Sequence, residues 1–214
     1  MACCHCQGVE SVFSARYVRS EVKRYRRKGP RVTTKLLVAA IKAEGAQGSN
    51  LLDIGGGVGP IHHELLKSGV GTAVAAEAST AYLSAAEEEA RRQGHADRVT
   101  YRQGDFIELA PEIESADIVT LDRVICCYPD MESLVGLSLG KARRIYALVY
   151  PRDAWWTRVG IRLLNLGLWL SRNPFRVFVH PEFAVDALVR GAGFERRYLR
   201  KTPAWQVVVY RRTS

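Results

Sequence analysis

Apolar positions recur at helical spacing through the first 45 residues. Val12, Phe13, Tyr17 and Val18 share one side of a segment that predicts a basic amphipathic helix over 11–28, broken by Gly29-Pro30. Leu36, Leu37, Ala40 and Ile41 predict a second helix over 33–44, ended by Gly45. Beyond this point the pattern changes. Asn50-Leu51-Leu52-Asp53-Ile54 is a short apolar run bounded by glycines, which fits a buried parallel strand. Pro60 stands at a first helical position and Gly69 at a helix end. Thr72–Ala76 predicts a second strand ending at Glu77. Ser79 caps a helix through Gln93, with Tyr82, Ala86 and Ala90 on one face and Glu87–Arg91 and Glu88–Arg92 as pairs on the other.

Further strands are predicted at 99–102, 117–121 and 144–150, a helix at 181–190, and two closing strands near 195–200 and 204–210. Strands alternating with helices give an α/β fold with a doubly wound, seven-stranded, mostly parallel sheet. The expected organisation is a single domain over 1–214. It has a helical N-terminal extension over 1–45, a core over 46–150, a helical insertion or lid over 151–180, and a C-terminal helix and hairpin over 181–214.

Composition agrees with a packed globular chain: 214 residues, 47% hydrophobic and 25% charged, enough to bury a full core. No 18-residue run is free of charge and the N-terminus lacks a signal-peptide apolar stretch, so a cytoplasmic location is expected. Five cysteines without an even framework fit a reducing compartment. Charge adds one feature. Between Arg16 and Lys35 lie nine basic residues against one acid, Glu21, out of a net +9 for the chain. Such a helix offers a footing to nucleic acid, an acidic membrane surface or an anionic substrate, and equally fits a solvated helix face.

The chemistry centres on Asp53-Ile54-Gly55-Gly56-Gly57-Val58-Gly59, a glycine turn between a strand and a helix that lets a ligand approach the backbone. The dinucleotide pattern Gly-x-Gly-x-x-Gly fails, because its third glycine falls on Pro60 or His62. Asp-x-Gly-x-Gly-x-Gly, read as Asp53, Gly55, Gly57 and Gly59, resembles motif I of class I S-adenosylmethionine (SAM)-dependent methyltransferases. Three landmarks follow in the family's order. Glu77 ends the second strand, Asp105-Phe106 the third, and Ala116–Asp122 is similar to motif IV. The resemblance covers roughly residues 35–150 and the terminal hairpin. It implies SAM as cofactor, with the loop and Asp53 under the methionine part and Glu77 on the ribose hydroxyls. Asp105 and Phe106 would meet the adenine, and Leu121 lies on the strand bordering the reacting methyl. Taken singly, Glu77 also reads as a favourable helix N-terminal acid and Asp105 as a turn residue.

The acceptor is less legible. After the fourth strand comes Leu121-Asp122-Arg123-Val124-Ile125-Cys126-Cys127-Tyr128-Pro129-Asp130, without the Asn-Pro-Pro type motif of nucleic-acid amino-methyltransferases and without a conventional base. A partial resemblance to magnesium-protoporphyrin O-methyltransferases is carried by Leu121-Asp122, Ile125, Tyr128, Pro151-Arg152 and the apolar run Trp155–Leu170. The family's histidine falls here on Cys126 or Cys127. The expected acceptor is a small acidic or hydrophobic molecule, with O-methylation favoured. Arg123, Tyr128 and His180 are the candidate catalytic residues, His180 reading equally as a satisfied structural histidine, and Arg123, Arg152 and Arg158 are candidate carboxylate ligands. The run 154–171 reads as a lid, an interfacial helix, or a helix packed on the sheet or at a dimer contact. The alternatives are an RNA methyltransferase drawn in by the basic helix, and a non-catalytic SAM-binding regulator. Cys3-Cys4-His5-Cys6 is one tight cluster without a second spaced pair, and no metal site is assigned to it.

Overall fold

The computed structural model describes residues 4–213. Three helices come first: α1 (Cys4–Val12), α2 (Ala15–Lys28) and α3 (Val32–Ala43). The core then alternates β1 (Asn50–Ile54), α4 (Pro60–Lys67), β2 (Thr72–Glu77), α5 (Thr80–Gln93), β3 (Val99–Gln103), the short α6 (Phe106–Leu109) and β4 (Ala116–Asp122). After it come α7 (Met131–Lys141), β5 (Ala142–Pro151), α8 (Trp155–Leu170), α9 (Glu182–Gly191), β6 (Phe194–Lys201) and β7 (Trp205–Arg212). The seven strands are ordered β3-β2-β1-β4-β5-β7-β6, all parallel except β7, which runs antiparallel to both neighbours.

The pleat of the sheet divides the core in two, because successive strand residues point to opposite faces. Leu51, Ala73, Ile118, Ile145 and Val207 pack with Leu37 and Ile41 of α3 and Ile61 and Leu65 of α4. Leu52, Val119, Leu148 and Val208 pack on the other face with Leu134 and Val135 of α7 and Val185 and Val189 of α9. Strands flanked on both sides by helices read as continuous apolar runs, as β1 does. The edge strands β3 and β6 instead carry exposed polar and charged residues, which discourages pairing with another sheet edge.

Several expectations are refined. The predicted helix over 11–28 is two helices, because Ser14 leaves helical geometry and its hydroxyl caps α2 by accepting from Tyr17 N at 3.5 Å. The expected pairs Glu87–Arg91 and Glu88–Arg92 do not form. Glu89, fully buried, takes Arg92, and Arg26 of α2 bridges to Glu88 and Glu89, each at 2.9 Å. This clamps α2 onto α5. Arg24 and Arg31 meet Glu21, so part of the basic patch is internally neutralised. Helix α7 is an addition. Its two glycines, Gly136 and Gly140, and weak periodicity conceal it, while Asp130 caps it by accepting from Ser133 N at 3.0 Å. The Cys-Cys-His-Cys cluster lies outside the described side chains.

Candidate functional site

A cleft of about 420 Å³ opens at the C-terminal ends of β1, β2 and β4, where a doubly wound sheet places its ligands. Its floor is the glycine turn. Gly55, Gly57 and Gly59 adopt φ of 62°, 58° and 84°, a region that side-chain-bearing residues rarely enter. Space adds to the requirement. A Cβ on Gly55 would stand 2.5 Å from Val124 Cγ2, and one on Gly59 would stand 2.1 Å from His62 Nε2. The turn is tied to the sheet by Gly55 N donating to Ala76 O at 2.7 Å.

Beneath the turn lies Asp53, fully buried. Its Oδ1 accepts from Thr120 Oγ1 at 2.7 Å, the residue in register with it on β4, and its Oδ2 meets His62 Nδ1 at 2.9 Å. A Cβ on Gly56 would lie 2.5 Å from Asp53 Oδ2. The carboxylate thus supports the loop from below, and Asp53 is not among the residues lining the cleft. His62 is a buried partner of that carboxylate. His63 lies edge-on to it and bonds His95 at 3.1 Å, and burial pushes its imidazole down to about 2.

Glu77 caps the end of β2 and faces the cleft. Its Oε2 accepts from Gly57 N at 3.0 Å and its Oε1 from Ser79 N at 2.9 Å. Burial dominates over these two donors and raises its carboxyl to about 7. Phe106 and Gly104 line the neighbouring wall. Asp105 between them caps α6 by accepting from Ile107 N at 3.0 Å and accepts from the Tyr128 hydroxyl at 2.7 Å. Leu121 is buried in the core behind β4 rather than on the cleft surface.

The open half of the cleft is walled by Phe13 and Tyr17 from the N-terminal helical region, Trp205 at the start of β7, and the turn after β4. Phe13 packs on Tyr82 at 5.2 Å between ring centroids and on Phe175 at 6.0 Å. Arg24 and Arg31 stand at its rim. Among the described residues, none from α8 lines this cleft. The N-terminal helical region borders the cleft through Val9, Phe13 and Tyr17.

Asp122 and Arg123 occupy the tip of β4, and both line the cleft. Arg123 has φ of 65°, an uncommon conformation for a residue with a side chain, fixed by Arg123 N donating to Val149 O at 2.7 Å. Its guanidinium donates to Thr33 Oγ1 at 2.6 Å and lies 4.8 Å from the Trp205 ring centroid. Asp122 Oδ2 accepts from Thr34 Oγ1 at 2.5 Å, while Oδ1 is buried without a hydrogen-bond partner. Burial raises the Asp122 carboxyl above the ordinary range, against the lowering influence of Arg123 and Thr34. Sequence reasoning gives Asp122 no separate role. Its signal was its position at the end of the motif IV strand.

Tyr128 lines the cleft with its hydroxyl on Asp105. His180, expected near the chemistry, lies behind the turn. Its Nε2 sits 2.9 Å from Ile125 O and 3.0 Å from Tyr128 O, a donor to two carbonyls that holds the turn in place. Arg152 and Arg158 also stand apart from the cleft, on the Trp156 ring and on Asp153.

Residues 52–136 match the family model described as a methyltransferase domain. No curated protein sequence matches the chain. Among solved structures, the chain is similar to magnesium protoporphyrin IX methyltransferase from Synechocystis PCC 6803 with bound SAM, at a TM-score of 0.72 and 15% identity over 98% of this chain and 97% of that one. It is similar to an O-methyltransferase family protein from Burkholderia thailandensis, at a TM-score of 0.70 and 17% identity over 95% and 61%. A third is an O-methyltransferase family 2 protein from Planctomyces limnophilus in complex with apigenin, at 0.62 and 15% over 89% and 64%. At such identities the structural likeness speaks for the fold, and the matched segment holds the glycine turn, Glu77 and the β4 tip. Fold, matched segment and cradle agree: residues 52–136 match a methyltransferase domain, and the sheet has the Rossmann-like fold of solved methyltransferases.

Proposed function

We propose that this methyltransferase transfers its methyl group to an oxygen of a small amphipathic acceptor, with Asp122 as the base. The carrying observation is Asp122 Oδ1: buried, without a hydrogen-bond partner, on a carboxylate whose pKa is raised, at the cleft wall. A hydroxyl seated there meets an acceptor for its proton, and a raised pKa brings the base nearer to working pH. Phe13, Tyr17 and Trp205 suit an apolar or flat acceptor body. Arg123 suits an anionic substituent on it.

The cofactor end fits the residues present. Gly55 and Gly57 line the cleft with Gly59 completing a left-handed turn, which leaves backbone open to close approach by a ligand. Glu77 would accept the two ribose hydroxyls, Phe106 would pack on the adenine, and Asp105 would set that wall through α6 and Tyr128. Asp53 supports the turn from below and Leu121 supports the β4 tip. When bound, SAM supplies a sulfonium-activated methyl group. The residues of the chain orient the acceptor, exclude water and hold the proton. Arg123 positions the acceptor, Tyr128 borders it, and His180 acts by fixing the 125–128 turn. Orientation of this kind accounts for as much as about 7–11 kcal/mol of a barrier. The proposed organisation keeps 1–45 as the extension covering the acceptor end, 46–150 as the cofactor core, 151–180 as an insertion and 181–214 as the closing helix and hairpin. A cytoplasmic location stays part of this reading, on the cysteine usage.

The test is methyl-labelled SAM with panels of phenolic, aliphatic hydroxy, carboxylic and amine acceptors and an RNA pool. Label on oxygen of an amphipathic acceptor supports the reading. Label confined to RNA or to amines overturns it, and SAM binding without transfer to any acceptor class points to a regulator.

A further inference from the structure

Helix α8 is laid on the molecule with its most apolar face outward. Thr157, Ile161, Asn165 and Leu168 form its inner side, and of all its residues only Thr157 is buried. Trp155, Val159, Leu163, Leu166 and Leu170 recur at spacings of four, four, three and four, which puts all five on one stripe of the helix. Every one is exposed: Trp155 by 73%, Leu163 by 64% and Leu170 by 69%. The face is held in this orientation. Asn165 exchanges two hydrogen bonds with the backbone of Val177, at 2.7 and 2.9 Å, and Trp156 Nε1 donates to Pro203 O at 2.8 Å. A stripe about 24 Å long, at 1.5 Å per residue, is far more apolar surface than a scattered exposed leucine and marks a contact site.

Charge around the stripe identifies the occupant. Arg158 and Arg162 border it on one side, with Trp169 between them, 63% exposed. From 152 to 176 the chain has five arginines, Arg152, Arg158, Arg162, Arg172 and Arg176, against the single acid Asp153, and α8 itself has no acid. Two copies meeting along this face would bring like charges together with little acid to offset them. An anionic lipid surface complements both features, since acyl chains receive the stripe, arginines reach the headgroups and tryptophans sit at the boundary. No helix among the described residues is long and apolar enough to cross a membrane. We propose that α8 docks the protein in the plane of an anionic bilayer, through the Trp155–Leu170 stripe and its arginine border. This surface is separate from the cleft and does not depend on the acceptor chemistry.

Three of the chain's four tryptophans, Trp155, Trp156 and Trp169, lie on α8, so their emission reports on this helix. The experiment mixes the purified chain with vesicles of phosphatidylcholine and phosphatidylglycerol in equal parts, and separately with pure phosphatidylcholine. Flotation, emission and sedimentation velocity are recorded. The expected result is flotation with the anionic vesicles, a blue-shifted emission, and weakening by salt. Leu163→Glu with Leu166→Glu, and separately Arg158→Glu with Arg162→Glu, should each weaken vesicle binding by about tenfold or more while SAM binding is kept. Absence of flotation with anionic vesicles would overturn the proposal. So would vesicle binding that survives both double variants, which would put the contact on the basic α2. A lipid-free dimer that Leu163→Glu disperses would overturn it too, by making a second copy the occupant.

Discussion

Asp122 and Arg123, adjacent at the tip of β4, point into one cleft without forming a close ion pair: Arg123 Nε lies 3.9 Å from Asp122 Oδ1. Both of these atoms are buried and lack a hydrogen-bond partner, while Asp122 Oδ2 is held by Thr34 and Arg123 Nη2 by Thr33. Buried polar groups are nearly always satisfied, and orphaned ones concentrate where a ligand completes them. A substrate hydroxyl between them, donating to Asp122 and accepting from Arg123, would satisfy both.

Asp122→Asn should lower kcat by about 10²–10⁴-fold, the usual worth of a positioned base, with SAM affinity unchanged. Because the carboxyl is raised, wild-type rate should climb with pH through its titration, and this limb should vanish in the variant. Rate against pH with an acceptor found by labelling, beside calorimetry for SAM, checks both. A variant with an unaltered profile removes Asp122 from the chemistry.

Glu77 sets a pH dependence on the ligand-free protein. Its folded carboxyl titrates at about 7 and an unfolded glutamate near 4.5, so between these values the folded state holds more protons. Its contribution to stability is therefore greatest below about 4.5 and declines as pH rises to about 7. Glu77→Gln should remove this decline and raise stability at pH 8 by up to about 3 kcal/mol. Urea unfolding of both proteins at pH 5 and pH 8 measures it, and equal pH slopes would contradict it.

Two glycines should respond oppositely to alanine. Gly59→Ala meets a positive φ and the buried His62 ring, and should cost about 1–3 kcal/mol. Gly136→Ala, in helix α7 with open space around it, should stabilise by about 0.5–1 kcal/mol. Denaturant midpoints for the pair decide the point. A stabilising Gly59→Ala would mean that the turn is not built as described.

Glu89→Ala should strand Arg26 and Arg92 and loosen α2 from α5. A loss of about 1–3 kcal/mol is expected, because Glu89 is buried while Arg26 and Arg92 are partly exposed to solvent. Amide exchange localised to α2 is the signature, since Tyr25 packs there and bonds Gln93.

The succession of strands and helices and the cofactor loop were legible because each rests on local sequence. Asn50–Ile54 is a buried strand by composition, Pro60 starts a helix, and Gly94 ends one in the left-handed conformation at φ of 73°. Contacts distant in sequence were not legible. Glu89 reads as one charge in an acidic helix until Arg26, 63 residues earlier, is folded against it. His180 and Asp122 illustrate the same limit at the site. A histidine after an apolar run looks like an available imidazole, yet it is taken by two carbonyls. An aspartate beside an arginine looks like a surface pair, yet each keeps an orphaned atom. For α8, composition announced an apolar helix, and only the packing revealed which side faces out.

In the proposed SAM site the ribose end is held by Glu77. Isothermal titration of SAM into the wild-type chain and into Glu77→Ala measures it directly. The predicted result is saturable binding to the wild type, weakened in the variant by about 10–100-fold for the loss of hydrogen bonds to a charged group. Absence of binding to the wild type, or equal affinity in the variant, would contradict the account.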